Sequence, residues 1–92
     1  MPTFKFHGNL REHIPNGEIF LSGSLSLRES LHVITDLHQS LNQVLFVPGT
    51  EEIREPYILV VNGELVRFFE EELDIILKTD DIVQFFPPIS GG

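Results

Sequence analysis

The chain has 92 residues, 41% of them hydrophobic, with eight Phe and no Cys, so it can fill one small core but has little left for a deep two-sided cleft. The missing cysteines exclude disulfides, thiolate nucleophiles and Cys-based metal sites. A formal charge of −8 repels phosphate backbones and argues against nucleic-acid binding.

In chain order, "TFKFH" (3–7) alternates Phe4 and Phe6 with Lys5 and His7, the period of a half-buried strand. Gly8-Asn9 ends it. Leu10–His13 is a short connection and Pro15-Asn16-Gly17 a turn, after which "EIFLS" (18–22) is a second strand, making an opening hairpin. The period then changes. Ser26 and Glu29 have the spacing of a capping box. Leu27, Leu31, Ile34, Leu37 and Leu41 follow at steps of four, three, three and four, one apolar stripe of a helix over about 27–38 that could run on to 41. Leu27, Leu31, Ile34 and Leu37 are expected to face the sheet, with Ser30, His32, Thr35, Asp36 and Gln39 largely turned away.

"FVPGTEEIREP" (46–56) has loop composition. "YILVVNGELVRF" (57–68) places two β-rich runs around Asn62-Gly63, a pair suited to the positive φ angles of a type I′ hairpin turn. Residues 70–81 are acidic, with Leu73, Ile75, Ile76 and Leu77 among them, and are expected to form a short helical turn or irregular crossover. "IVQFF" (82–86) is the last strand. One helix and four to five strands make an α+β domain, a mixed sheet packed on one main helix. Phe85 and Phe86 must point to opposite faces. One belongs to the core, and the other is covered by a loop or left for a partner.

No convincing active site is visible in this body. His7, His13, His32 and His38 lack the spacing of a metal site. No GxxxxGKS/T or GxGxxG cradle is present. Glu70, Glu71, Glu72 and Asp74 form a run in which nothing separates one pKa from its neighbours, as acid–base work requires. The run is a solvated face or an electrostatic guide toward a basic partner. The longest apolar run, Tyr57–Val61, is far below the ~20 residues that span a bilayer. The first residues lack the charged and apolar regions of a secretory leader. The expectation is a cytoplasmic protein that binds neither membrane nor nucleic acid.

The end is different. Pro87 and Pro88 favour an extended polyproline conformation, and six residues reach at most ~20 Å. Ile89 and Ser90 lead to Gly91 and Gly92, which add almost no width, so the chain closes in a thin tip bearing an α-carboxylate. Such a tip can enter a narrow tunnel; a loose linker or an incidental Gly-Gly are the other readings.

"FHGNLRE" (6–12), "VNGELV" (61–66) and above all "DDIVQFFPPISGG" (80–92) resemble the β-grasp sulfur carriers that end in Gly-Gly, most closely the small subunits of molybdopterin synthases. Two features depart from that pattern: His7 stands where an aromatic or apolar residue is common, and "FFEEELDIILKTDD" is long and lacks a glycine. The resemblance implies a ubiquitin-like β-grasp domain over 1–86 and an extended tail over 87–92. It implies a non-catalytic, sulfur-carrying subunit. An adenylating, E1-like enzyme would use ATP to activate Gly92, and a sulfur donor protein would convert the adenylate to a thiocarboxylate. Pro87, Pro88, Ser90 and Gly91 would enter the large synthase subunit, with Phe86 and Leu65 holding partners, and sulfur would pass to a pterin precursor. No cofactor would be held by the chain itself. Relatives that modify protein lysines, or that serve thiamine synthesis or tRNA thiolation, keep those alternatives open.

Overall fold

The structure, a computed structural model, describes residues 1–47, 49–50, 57–66 and 73–87. Among them five strands form one mixed sheet. They are β1 (Thr3–Phe6), β2 (Glu18–Phe20), β3 (Ile58–Val61), β4 (Glu64–Val66) and β5 (Ile82–Phe86), in the order β2-β1-β5-β3-β4. β1 and β5, from opposite ends of the chain, pair in parallel at the centre, with Phe4 opposite Val83 and Phe6 opposite Phe85. The other three pairings are antiparallel. Both edge strands have only three residues, which limits the unpaired backbone they present.

The sheet is covered on one face by helix α1 (Leu27–Leu37), whose start matches the sequence expectation atom for atom. The Glu29 amide donates to Ser26 Oγ at 3.0 Å and the Ser26 amide donates to Glu29 Oε1 at 2.9 Å, so two orphan donors of the first turn are satisfied. Leu27, Leu31 and Ile34 enter a core with Phe4, Phe6, Leu59, Val83 and Phe85.

Leu37 does not: it is 68% exposed, whereas Ser30 and Thr35, expected to face away, are buried. At ~100° per residue Leu37 falls on the margin of the buried arc, beyond Ser30, and the helix ends there. The smaller Ser30 and Thr35 flank the arc at less steric cost. Thr35 Oγ1 donates to the Leu31 carbonyl at 2.8 Å, so its burial leaves no hydroxyl unsatisfied.

The helix ends near residue 38, as expected, and does not run on to 41. His38 (φ −130°, ψ 79°) breaks it, and a second helix, α2 (Gln39–Leu45), carries Leu41 and Leu45 into the core. The connection after β1 is likewise more ordered than expected. Gly8–His13 forms a 3₁₀ helix with Leu10 buried. β2 ends at Phe20, two residues early.

The NG hairpin is present as expected: Asn62 and Gly63 have φ of 51° and 83°, and Val61 pairs with Glu64. Of the acidic crossover, residues 73–81 follow an irregular path. Leu73 and Leu77 are buried, Ile76 bridges Ser26, and Arg28 on α1 meets Asp74 at 3.0 Å. Among the described residues no helix is long and apolar enough to cross a membrane.

Candidate functional site

Among the described residues, the helices cover one face of the sheet and leave the second open. Alternation along the strands puts Lys5, Ile58, Val60, Leu65, Ile82, Gln84 and Phe86 on it. Leu65 is 66% exposed, and Ile58 and Ile82 are each just under two-fifths exposed. Phe86 is half-buried. It opposes Ile58 across β5–β3, while Leu65 opposes Val60 across β4–β3. The two residues expected to hold partners therefore share one face, joined through Ile58 and Val60. Lys5 and Glu18 stand 3.8 Å apart nearer the β2 edge. The open face is thus apolar toward β4, while toward β2 it carries this ion pair beside Phe20, which is opposite Thr3 and 56% exposed.

The root of the tail is built from two aromatic pairs in consecutive rows of the β1–β5 ladder. In the core, Phe6 stacks on Phe85 with centroids 5.0 Å apart and planes 4° apart. On the open face, His7 stacks on Phe86 at 4.4 Å and 8°. His7 Nε2 donates to Gln84 Oε1 at 2.9 Å, and the His7 amide donates to the Phe85 carbonyl at 3.0 Å. His7, a departure from the sequence pattern, thus occupies an aromatic place as a flat ring.

Pro87 follows, half-buried against Gly8. Of the other expected tail residues, Pro88, Ser90, Gly91 and Gly92 lie outside the described residues, as do Glu70, Glu71 and Glu72. His7 and Gly8 are the parts of this site that sequence reasoning did not assign; their signal was only the break in the strand pattern at 7–8. Among the described residues no three His, Asp or Glu side chains gather as a metal-binding group. What the arrangement offers is an apolar face beside the end of β5, where His7 and Gly8 stand against Phe86 and Pro87.

Comparison with known proteins agrees with this architecture. The profile of the ThiS family matches residues 4–92. No curated protein sequence matches the chain. The solution structure of small archaeal modifier protein 1 from Methanosarcina acetivorans superposes with a TM-score of 0.82 at 31% identity, covering 99% of this chain and 95% of that one. A Pyrococcus furiosus chain assigned as subunit 1 of molybdopterin converting factor superposes at 0.66 with 25% identity, covering 96% and 97%. A chain in the Amycolatopsis orientalis BexX/CysO complex superposes at 0.78 with 22% identity over the full length of both, a likeness of fold alone. The chain belongs to the ThiS family, and its fold is that of the ubiquitin-like sulfur carriers.

Proposed function

We propose that this chain is the sulfur-carrying small subunit of a molybdopterin synthase. The observation that supports this reading is the block 80–92. It forms the central strand β5, ends in Phe86 and Pro87 beside an apolar open face, and continues through Pro88 to Gly91-Gly92. The Gly92 carboxylate attacks the α-phosphorus of ATP in an adenylating partner, releasing pyrophosphate and forming an acyl-adenylate. A donor of sulfide-level sulfur attacks that acyl carbon and expels AMP, leaving a thiocarboxylate; were the donor a persulfide, a thiol would have to cleave the acyl disulfide first formed. The carrier then docks on a large synthase subunit, and the sulfur passes to a pterin precursor to build the dithiolene. Activation is necessary because a free carboxylate is a poor electrophile. The fold's part is positioning: the open face docks, and the thin tip enters.

The similarity to an archaeal modifier protein at 31% identity favours a second reading, in which the same acyl-adenylate ends as an amide on a protein lysine. One experiment separates the two. The intact mass of the protein purified from its own cells shows one oxygen replaced by sulfur in a carrier and higher-mass conjugates in a modifier. In vitro, the cognate activating enzyme with ATP and a sulfur donor is expected to yield the thiocarboxylate, and removal of Gly91 and Gly92 to abolish it. Sulfur transfer by the shortened chain would overturn the carboxylate mechanism.

A further inference from the structure

The carrier reading leaves open how a six-residue tail arrives in the right direction. Extended, it reaches at most ~20 Å, so a swing of about 10° at its root moves the tip by about 3 Å. Acyl activation does not tolerate that error. A direction set where the tail leaves the sheet would remove that error before the tip meets a partner.

Two residues of β1's end stand at that point. His7 lies flat over Phe86, 4.4 Å away, and its Nε2 is tied to Gln84. Gly8 lies against Pro87 so closely that a Cβ there would sit 2.6 Å from Pro87 Cγ and 3.2 Å from Cδ. Gly8 has φ of +61°, but that angle alone does not demand glycine. Asn16 and Asn62 in this same chain adopt 59° and 51°. What excludes a side chain at position 8 is the proline ring. His7 projects from the open face rather than into the core, so its ring is not part of the packing that holds α1 on the sheet.

We infer that His7 and Gly8 are positioning residues that clamp Phe86 and Pro87 and so fix the direction in which the tail leaves the fold. The inference rests on the carrier reading for its consequence, though not for its geometry. The ring of His7 prevents Phe86 from rotating off the sheet, and the bare Gly8 backbone gives Pro87 a flat seat. Together they aim the following residues before any partner is met, which reduces the ordering left to be done on binding.

Two measurements test this. The first follows ATP–pyrophosphate exchange by the cognate activating enzyme as a function of full-length carrier. Gly8→Asn keeps the φ preference and adds the Cβ; His7→Ala removes the ring; His7→Phe keeps a flat ring. The first two are expected to lower kcat about 10-fold; in Gly8→Asn, which changes no side chain of the open face, KM is expected to stay within about threefold of wild type. His7→Phe is expected to restore most of kcat. Wild-type kcat in both disruptive variants, or a rise in KM alone, would overturn the clamp and make His7 at most a docking contact.

The second measurement needs no partner. The chain has no Cys, so spin labels can be placed through Gln39→Cys on α2 and Ile89→Cys in the tail. The distance distribution between them is expected to shift or broaden in Gly8→Asn and His7→Ala and to stay near wild type in His7→Phe. An unchanged distribution in the first two overturns the clamp. A wild-type chain that is never adenylated overturns the carrier reading, and the distance measurement then decides the clamp by itself.

Discussion

In β5 consecutive side chains take opposite faces, so Phe85 stacks on Phe6 inside the core while Phe86 stacks on His7 outside it. The two phenylalanines should therefore answer different assays. Phe85 is fully buried, and Phe85→Ala is expected to cost about 3–5 kcal/mol of stability. Phe86→Ala loses a stacked pair and a half-buried face, about 1 kcal/mol, but should weaken binding to the activating enzyme by ~2 kcal/mol or more as an interface anchor. Denaturant unfolding and titration with that enzyme check both halves, and the reverse order would mean that the faces had exchanged roles. The opposition of the two rings is legible from their adjacency in a strand. The partner of Phe86 is not: His7 and Gln84 are 77 positions apart, and no local periodicity announces a parallel pairing of the first strand with the last. For the same reason His7 had no evident reason to differ from the family pattern until β1 and β5 were side by side. The tail reading rests on sequence and resemblance alone, since residues 88–92 lie outside the described structure.

Between elements, one carboxylate joins the β3–β4 hairpin to the start of β5. The Lys78 amide donates to Asp81 Oδ2 at 2.7 Å and Asn62 Nδ2 donates to Asp81 Oδ1 at 2.8 Å. Asn62 Oδ1 in turn accepts from the Ile82 amide at 2.9 Å. The Lys78 amide and then the Asn62 side chain hold Asp81 below its ordinary value of 3.8 against the opposing effect of burial, with a lesser contribution from the Lys78 charge. A carboxylate whose folded pKa is lowered adds stability that is complete above its unfolded pKa and is lost as pH falls through the folded value. Asp81→Asn leaves one of two donors without an acceptor and should cost about 1 kcal/mol at neutral pH. The gap between wild type and variant should close as pH falls through the folded pKa of Asp81. Chemical denaturation of both proteins across that range checks it; a gap independent of pH would remove Asp81 from the latch. The Asn62-Gly63 turn was legible because its backbone angles restrict the residue types that fit, and the start of α1 because a capping box is local. The end of α1 near residue 38 was also legible, but the separate helix α2 that follows was not. Leu41 and Leu45 of α2 are both buried in the core.

At the scale of the molecule, the net charge of −8 is unevenly spread: residues 51–81 hold ten acidic and three basic side chains, a local charge of −7. Within the described part, Glu64 and Asp80 are exposed and Asp74 is paired with Arg28. The apolar part of the open face lies on β3 and β4, within this same acidic stretch of the chain. On the carrier reading, apolar contact and acidic charge would have different duties. The apolar side chains act at short range and set how long a complex lasts. The charges act over the Debye length, about 10 Å at 0.1 M salt, and set how often partners meet in the right orientation. A basic partner surface is thus expected to associate faster at low ionic strength. Raising salt from about 0.05 to about 0.5 M should slow association steeply while leaving dissociation nearly unchanged. Phe86→Ala should do the opposite, raising the dissociation rate and leaving the salt dependence of association intact. Stopped-flow mixing of the carrier with its activating enzyme measures both rates in one series. An association rate flat across the salt range would reduce the acidic stretch to a solvated surface and leave the open face to find its partner by diffusion alone.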